Sequence, residues 1–237
     1  MKILVINETD KLTGGAAIIF DVQTFLLRQA GYDVFTFALS KRYRRDDYNL
    51  RLPDQGKRWI KKFMKLTINP RVYKGLRTFI NEIKPDIIII HNNALYPVSV
   101  LLACRGYKTL HIVHDFYLIC PTIWAVQKKN LKDCPCGVRL RCINQCSINP
   151  LALVFFYTPL FFFRKLALKR IVDILIAPSS MLVTYLNQSG FRAILMRNPV
   201  PLYKKDNALT GFDRYKLSKI TRHPYLLYVG SLTENKG

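Results

Sequence analysis

Acidic side chains are scarce in this sequence. Its 237 residues include 15 Asp and Glu against 37 Lys and Arg, so the formal net charge at pH 7 is +22. A charge of this size implies an anionic partner, and it leaves open nucleic acid, an anionic membrane surface or a phosphorylated substrate. Half of the residues are hydrophobic, which excludes a disordered chain and allows a sizeable core.

Signals for export and for crossing a membrane are also missing. Residues 1–7 are a short apolar run followed by polar and glycine residues, without the cleavage pattern of a signal peptide. The apolar stretch at residues 151–163 is short and contains Pro159, so it does not predict a membrane span. We therefore expect a cytoplasmic protein.

The positive charge comes without a nucleic-acid-binding signature. The chain contains no RNP-like, helix-turn-helix or zinc-finger pattern. It also lacks the full G-x-G-x-x-G fingerprint directly after the first strand, which disfavours a Rossmann dehydrogenase. The sequence predicts no specific nucleic-acid partner, and a basic nucleic-acid-binding protein is the least favoured function class.

Patterns of buried strands and helices alternate at the spacing of βαβ units. This alternation predicts an α/β fold with a doubly wound, Rossmann-like parallel sheet. The expected strands cover residues 3–6, 34–37, 86–90, 109–113 and 174–177. The expected helices run from Gly14-Gly15 to Gly31, from Asn69-Pro70 to just before Pro85, and over residues 97–104 and 181–188.

Two of these helices show apolar positions at the helical period. On the first helix the predicted buried positions are Ile18, Ile19, Val22, Phe25, Leu26 and Ala30. On the second they are Val72, Leu76, Phe79, Ile80 and Ile83.

The order of elements predicts one complete domain and the start of another. Residues 1–197 form the expected Rossmann-like domain, with a cysteine-rich insertion near residues 120–147. Residues 198–224 are the expected interdomain connection. Residues 225–237 read as a buried strand and a glycine-lysine loop, which is how a second α/β domain begins. We expect the chain to be truncated there.

Polar residues and glycines follow the predicted strands. In an open parallel sheet, ligands bind at the carboxyl ends of the strands, and two glycines at a helix start let backbone amides approach a phosphate. For any single polar residue, a helix cap or a turn is an equally good interpretation. The residues in question are Asn7, Gly14, Gly15, His91, Asn92, His114, Asp115 and Ser179.

Residues 114–121, His-Asp-Phe-Tyr-Leu-Ile-Cys-Pro, resemble the HD-aromatic-aromatic-Leu-x-Cys-Pro segment of the family 4 glycosyltransferases of the GT-B fold. Residues 84–91, 173–179 and 198–200 agree with the same family, in the same order along the chain. Residues 228–237 resemble that family's Val-Gly-Arg-Leu-x-x-x-Lys-Gly opening of the second, donor-binding domain. The resemblance covers nearly the whole chain.

The resemblance implies a hexosyltransferase-type enzyme that transfers a sugar, with retention, from a nucleotide-sugar donor. It implies a glycan or lipid-linked acceptor in cell-surface polysaccharide or glycolipid biosynthesis, with no metal requirement and no tightly bound cofactor. It gives His114 the catalytic position near the transferred sugar. It places Gly14, Gly15, Gly230 and Lys236 at the donor diphosphate. The further candidates for the acceptor site or the cleft are Asn7, His91, Asn92, Asp115, Ser179 and Asn198.

The chain departs from this family in two places. Ser231 stands where the family has an arginine, and the family's Glu-x7-Glu donor motif falls beyond Gly237. We therefore expect this chain alone not to turn over. The alternative to an enzyme is a non-catalytic acceptor- or membrane-binding remnant, or one half of a split enzyme.

Cysteines cluster after the HD segment. Cys134, Cys136, Cys142 and Cys146, with Cys120 upstream, are numerous enough for a tetrahedral zinc site. Their spacing is not the paired C-x2-C form, and free thiols are the favoured interpretation in a reducing cytosol. We predict no metal site, while a metal or a local disulfide stays as the alternative.

Two segments indicate contact with a membrane. Residues 57–66 place Trp59, Ile60, Phe63 and Met64 on one helical face and surround it with Lys and Arg. This pattern is typical of a helix in a membrane interface, although a core-packed surface helix is the alternative. The apolar residues 151–163 are followed by Arg164, Lys165, Lys169 and Arg170. We predict a peripheral protein on the inner face of an anionic membrane.

Overall fold

Seven parallel strands form one sheet in the computed structural model. They are β1 (Lys2–Asn7), β2 (Asp33–Leu39), β3 (Tyr48–Leu50), β4 (Ile87–His91), β5 (Thr109–Ile112), β6 (Ile174–Ala177) and β7 (Ala193–Leu195). Their order is β3-β2-β1-β4-β5-β6-β7, and every neighbouring pair is parallel. The predicted doubly wound α/β fold is confirmed. The sequence missed β3 and β7, which are three residues long.

The structure describes residues 1–8, 15–39, 48–50, 68–92, 97–123, 125, 127, 129, 134 and 137–199. Residues 1–199 form one compact unit. The predicted amphipathic helix at residues 57–66 and the predicted start of a second domain lie outside the described residues. So does the predicted interdomain connection, apart from Asn198 and Pro199.

Six helices connect the strands in the described part of the chain. They are α1 (Gly15–Gln29), α2 (Pro70–Ile83), α3 (Pro97–Cys104), α4 (Arg141–Cys146), α5 (Pro150–Ile171) and α6 (Ser180–Gln188). Helix α2 begins as predicted, because the Asn69 side chain accepts hydrogen bonds from the backbone of Arg71 and Val72. Its predicted apolar face is buried, with Phe79 partly so.

The buried face of α1 differs from the predicted one. Ala17, Phe20 and Thr24 are the buried positions, whereas Phe25 is 58% exposed and Leu26 is 41% exposed. Apolar residues surround much of this helix, so the helical period could not select one face. The Thr24 hydroxyl donates to the Phe20 carbonyl at 2.7 Å, and this bond allows a polar side chain at the core-facing position.

The sheet separates two hydrophobic cores. Along β1, Leu4 and Ile6 face the larger core, while Ile3 and Val5 face the smaller one, as the two-residue period of a strand requires. The larger core includes buried residues of α2, α3, α5 and α6, and the smaller core includes Phe20 of α1. The sheet is therefore covered on both faces, and its carboxyl edge is left for the polar residues.

Helix α5 is continuous where an interruption was expected. A π-helical turn at Leu153–Tyr157 precedes Pro159, and the Thr158 hydroxyl donates to the Leu153 carbonyl at 2.9 Å. This wider turn carries the helix through the proline, which cannot donate a backbone hydrogen bond. The resulting 22-residue helix is long and apolar enough to cross a membrane, by length and composition only. One side packs on the core through Ala167 and Leu168.

Candidate active site

The strand order reverses between β1 and β4, and in open α/β sheets ligands bind beside this point. Asn7 ends β1 and His91 ends β4. Because Ile6 pairs with Ile90 across these strands, Asn7 and His91 lie side by side at the carboxyl edge. Both are buried. The structure thus brings together two residues that the sequence placed in the cleft.

His114 joins this edge from the loop after β5. Its Nε2 lies 3.0 Å from Nδ1 of His91, and the two ring planes differ by 14°. Phe20 of α1 packs its ring against His91 with the centroids 5.7 Å apart. A hydrogen bond between the two imidazoles requires one nitrogen to donate and the other to accept, so the tautomer of His91 determines the tautomer of His114.

Three histidines at this edge are held neutral. Burial lowers the pKa of His91 to about 3, with smaller contributions from His114 and His111. Burial lowers the pKa of His111 to about 3, with smaller contributions from His114 and Arg164. It lowers the pKa of His114 to about 4. At pH 7, His114 can exchange hydrogen bonds with a ligand hydroxyl, but it is not a protonated acid.

Next to the histidine pair, Nε2 of His91 and Oδ1 of Asn92 are buried without a hydrogen-bond partner among the described residues. Asn92 also has a positive backbone φ of 24°, a conformation that non-glycine residues seldom adopt. Unsatisfied buried polar atoms cost free energy and are rare in folded proteins. Their position beside the histidine pair favours a ligand-binding site here.

Asp115 shapes the loop that carries His114. Its Oδ1 accepts a hydrogen bond from the Tyr117 amide at 2.8 Å, which closes a tight turn. Burial raises the pKa of Asp115, while the Tyr117 amide and Arg164 act in the opposite direction. The Tyr117 hydroxyl lies 2.8 Å from Nε2 of His111. Asp115 thus positions the loop and shows no contact with the histidine pair among the described residues.

Arg164 supports the same loop from α5. Its Nη2 donates to the Tyr117 carbonyl at 2.6 Å, and its guanidinium lies 4.4 Å from the centroid of the Phe161 ring. The side chain is only 4% exposed. Burial lowers its pKa to about 10, so it stays charged at pH 7. The prediction that Arg164 is a membrane-facing cation is wrong.

Lys165 also differs from its predicted role in the basic cluster, because its ammonium group has partners within the protein. Its ammonium donates to the Ser189 carbonyl at 2.6 Å and lies 5.5 Å from the centroid of the Phe191 ring. Lys169 and Arg170, in the last turn of α5, are exposed. Two of the four predicted membrane-facing cations therefore remain at the surface.

Two other predicted site residues, Gly15 and Ser179, lie at the starts of helices. Gly15 is exposed at the start of α1, and a Cβ there would meet no atom within 4 Å. Ser179 caps α6, because its hydroxyl accepts a hydrogen bond from the Leu182 amide at 3.3 Å. Among the described residues, no hydrogen bond joins Ser179 or Asn198 to the histidine pair. Gly14, Gly230 and Lys236 lie outside the described residues.

The described cysteines of the insertion are buried free thiols, namely Cys120, Cys134, Cys142 and Cys146. The Cys142 thiol lies 3.7 Å from the Gly137 carbonyl, and burial raises its pKa. Cys136 lies outside the described residues. Within the described ranges, no group of three or more histidine, cysteine or acidic side chains is placed to hold a metal ion.

Sequence reasoning missed His111, Tyr117 and Arg164 as parts of this site. His111 lies within a predicted strand, where a single buried histidine carries no functional signal. Tyr117 belongs to the HD segment, but its contact with Arg164 joins residues that are 47 positions apart in sequence. A usable signal for Arg164 was its position inside a strongly apolar helix, because a buried arginine in such a helix needs a polar partner.

Comparison with known proteins agrees with this fold. A UDP-GlcNAc 2-epimerase from Neisseria meningitidis, bound to UDP-GlcNAc, is 14% identical with a TM-score of 0.50, over 94% of this chain and 52% of that one. The S. aureus MnaA–UDP structure is also 14% identical with a TM-score of 0.50, over 91% and 51% of the two chains. The lipopolysaccharide outer core galactosyltransferase WaaB is 10% identical with a TM-score of 0.49, over 86% and 47%.

The first two likenesses show the fold alone. The chain spans about half the length of the solved structures that it matches. No curated protein matches the sequence. The family model for Glycosyltransferase Family 4 matches residues 13–202, which is most of the chain and includes the HD loop. The chain belongs to Glycosyltransferase Family 4.

Proposed function

We propose that the protein acts in sugar transfer with retention, from a nucleotide-sugar donor to a glycan or lipid-linked acceptor. The observation that carries the proposal is the 3.0 Å contact between His91 and His114 at the point where the strand order reverses. Polar atoms that have no partner among the residues that the structure describes adjoin that contact. Membership of the glycosyltransferase family supplies the reaction class.

In this proposal His114 lies near the transferred sugar as a neutral hydrogen-bonding group. Its lowered pKa leaves it unable to act as an imidazolium acid at pH 7. His91 holds it in one tautomer, as the contact between the rings requires. A hydrogen bond to a sugar hydroxyl that strengthens as the glycosidic bond breaks would stabilise the transition state.

The donor in this proposal is a nucleoside-diphosphate sugar. The Neisseria protein of the same fold is bound to UDP-GlcNAc, and we extend that donor class to this chain. The amino end of α1, beginning at Gly15, suits a diphosphate because it presents backbone amides and a positive dipole. We propose that the reaction needs no metal and that the rest of a GT-B architecture supplies most donor contacts, so that this chain alone does not turn over.

We place the acceptor and the enzyme at the cytoplasmic face of a membrane, in polysaccharide or glycolipid biosynthesis. Helix α5 supports this placement, because Phe155 is 72% exposed and Phe162 is 63% exposed. The exposed Lys169 and Arg170 lie in the last turn of the same helix. Exposed aromatic side chains next to cations are typical of surfaces that contact anionic lipid.

The test expresses the gene as it stands in its chromosome and isolates the membranes of the expressing cells. These membranes are then supplied with radiolabelled nucleotide sugars, one at a time. We expect label to enter an extractable glycan or glycolipid with one donor. His114→Ala should lower the rate at least about tenfold, because losing a hydrogen bond to developing charge costs about 1.5–3 kcal/mol. His114→Gln, which keeps a hydrogen-bonding side chain, should recover part of the rate.

Circular dichroism of both variants checks that they fold. An unchanged rate in folded His114→Ala would remove His114 from the reaction. If no donor is consumed while glycan or vesicle binding persists, the chain is a binding module and the transferase proposal fails.

A further inference from the structure

An apolar groove with a volume of about 610 Å³ lies between α3 and α5. Ile68, Val98, Leu102 and Phe163 contribute apolar side chains to its lining. Ile68 and Phe163 are each 51% exposed, so the groove is open to the surface. Burying such side chains against hydrocarbon is favourable by roughly 25 cal/mol for each Å² removed from water.

Two arginines lie at one end of this groove. Arg105 directly follows α3, and Arg170 lies in the last turn of α5. Because α3 and α5 lead into the neighbouring parallel strands β5 and β6, both helices end at the same edge of the sheet. Both arginines are exposed, and neither side chain has a hydrogen-bond or carboxylate partner among the described residues. None of the described residues that line the groove is acidic.

An apolar channel that ends in two guanidinium groups, with no partner for either in the part of the chain that the structure describes, matches an amphiphile with an anionic head. Arginine suits a phosphate because its planar fork donates two hydrogen bonds at once. A small polar metabolite would leave the apolar length of the groove unfilled. An acyl chain would fill that length, and each methylene that it buries there would be removed from water.

We propose that this groove binds an anionic phospholipid of the membrane, with an acyl chain between α3 and α5 and the phosphate at Arg105 and Arg170. The charged end of this site lies at the edge of the sheet opposite to the one that carries His91 and His114. The lipid therefore anchors the protein and is not the sugar acceptor. The proposal rests on the membrane placement proposed above, but it is tested without sugar transfer.

The first measurement is binding of the full chain to vesicles of phosphatidylcholine with and without phosphatidylglycerol. Arg105→Ala with Arg170→Ala should weaken binding to the anionic vesicles roughly thirtyfold, because each cation near an anionic surface contributes about 1 kcal/mol. Arg71→Ala with Arg192→Ala is the matched control, since both residues are exposed and the net charge changes equally. An equal loss in both pairs would show general surface charge and would overturn the groove site.

The second measurement locates the acyl chain. Ile68→Trp places a fluorophore at the groove, and Met181→Trp places one at a position that is 50% exposed on α6. Phosphatidylglycerol with brominated acyl chains should quench the fluorescence added by Ile68→Trp and spare that added by Met181→Trp. Vesicle binding without selective quenching at position 68 would mean that the lipid does not enter the groove.

Other occupants and other failures give different results. If the chain forms dimers without lipid and Leu102→Asp abolishes them, a second copy fills the groove and the lipid proposal is wrong. His114→Ala should bind vesicles as the wild type does. If that variant loses sugar transfer but still binds vesicles, the result concerns the active site alone. If lipid quenching is lost while sugar transfer is intact, the result concerns the groove alone.

Discussion

Acid should destabilise this protein through its buried histidines, well above the pH at which carboxylates titrate. His91 and His111 are fully buried, and burial lowers the pKa of each to about 3. In the unfolded chain each has a pKa of about 6.5. Between these values the unfolded chain binds protons that the folded chain excludes, so the free energy of unfolding falls as the pH falls below about 6.5.

The size of this effect follows from proton linkage. One histidine that stays neutral in the fold and has an unfolded pKa of about 6.5 lowers the free energy of unfolding by about 2 kcal/mol between pH 7 and pH 5. His91 and His111 together give about 4 kcal/mol, and His114 acts in the same direction. A loss of about 4 kcal/mol is a large part of the stability of a typical domain, which is about 5–15 kcal/mol.

Burial is the main cause of the lowered pKa of both histidines, and the groups around the rings act in the same direction. His91 packs against Phe20 and His114, and His111 packs against Tyr117, with Arg164 and His114 near enough to disfavour its protonated form. Asp115 has a raised pKa, so it contributes in the opposite direction, mainly at lower pH. The nearby cation and the neighbouring imidazoles therefore oppose protonation of both buried histidines.

Urea unfolding followed by circular dichroism at pH 7, 6 and 5 measures this dependence. His111→Gln keeps a hydrogen-bond acceptor for the Tyr117 hydroxyl and removes one titrating group. Between pH 7 and pH 5 its free energy of unfolding should therefore fall by about 2 kcal/mol less than that of the wild type. Lys108→Gln, at an exposed position, should follow the wild type. Equal losses in wild type and His111→Gln, or no loss in either, would refute the reasoning.

Two further changes test single contacts by urea unfolding. Arg164→Ala should cost about 3 kcal/mol, because it leaves the Tyr117 carbonyl without its donor and opens a cavity beside Phe161. Arg164→Met should cost less, because its longer apolar side chain fills part of that cavity; equal costs would contradict the contribution of the cavity. Ser179→Ala should cost about 1 kcal/mol through the lost cap of α6 and leave sugar transfer unchanged. A loss of transfer without a loss of stability would instead place Ser179 in the cleft.

The sequence predicted the central strands because their signal is strong and local. Residues 86–90 contain four consecutive isoleucines, which suit a strand that is buried on both faces. Strand β7 has no such signal, since Ile194 and Leu195 are about half exposed at the edge of the sheet. Its pairing with β6 depends on residues distant from the strand itself, and single-sequence patterns do not carry that information.

The candidate site likewise contains residues that the sequence could predict and residues that it could not. Residues at strand ends, such as Asn7 and His91, could be predicted because parallel strands bring their carboxyl ends to one edge. The partners of those residues could not be predicted. The face of α1 that presents Phe20 to His91 was ambiguous, and the path of α5 through Pro159 depends on a π-helical turn. Both features follow from packing that the local sequence does not specify.

Helix α5 contributes neighbouring residues to the two proposed sites. Phe163 and Arg170 line the groove, while Arg164, next to Phe163 in sequence, holds the Tyr117 carbonyl. The Tyr117 hydroxyl in turn lies beside His111. The Tyr117 amide donates a hydrogen bond to Asp115, which directly follows His114 in the sequence. Because Arg164 is buried and charged, it has few alternative partners if the helix moves. The same helix that we propose to hold a lipid therefore also fixes the loop that presents His114.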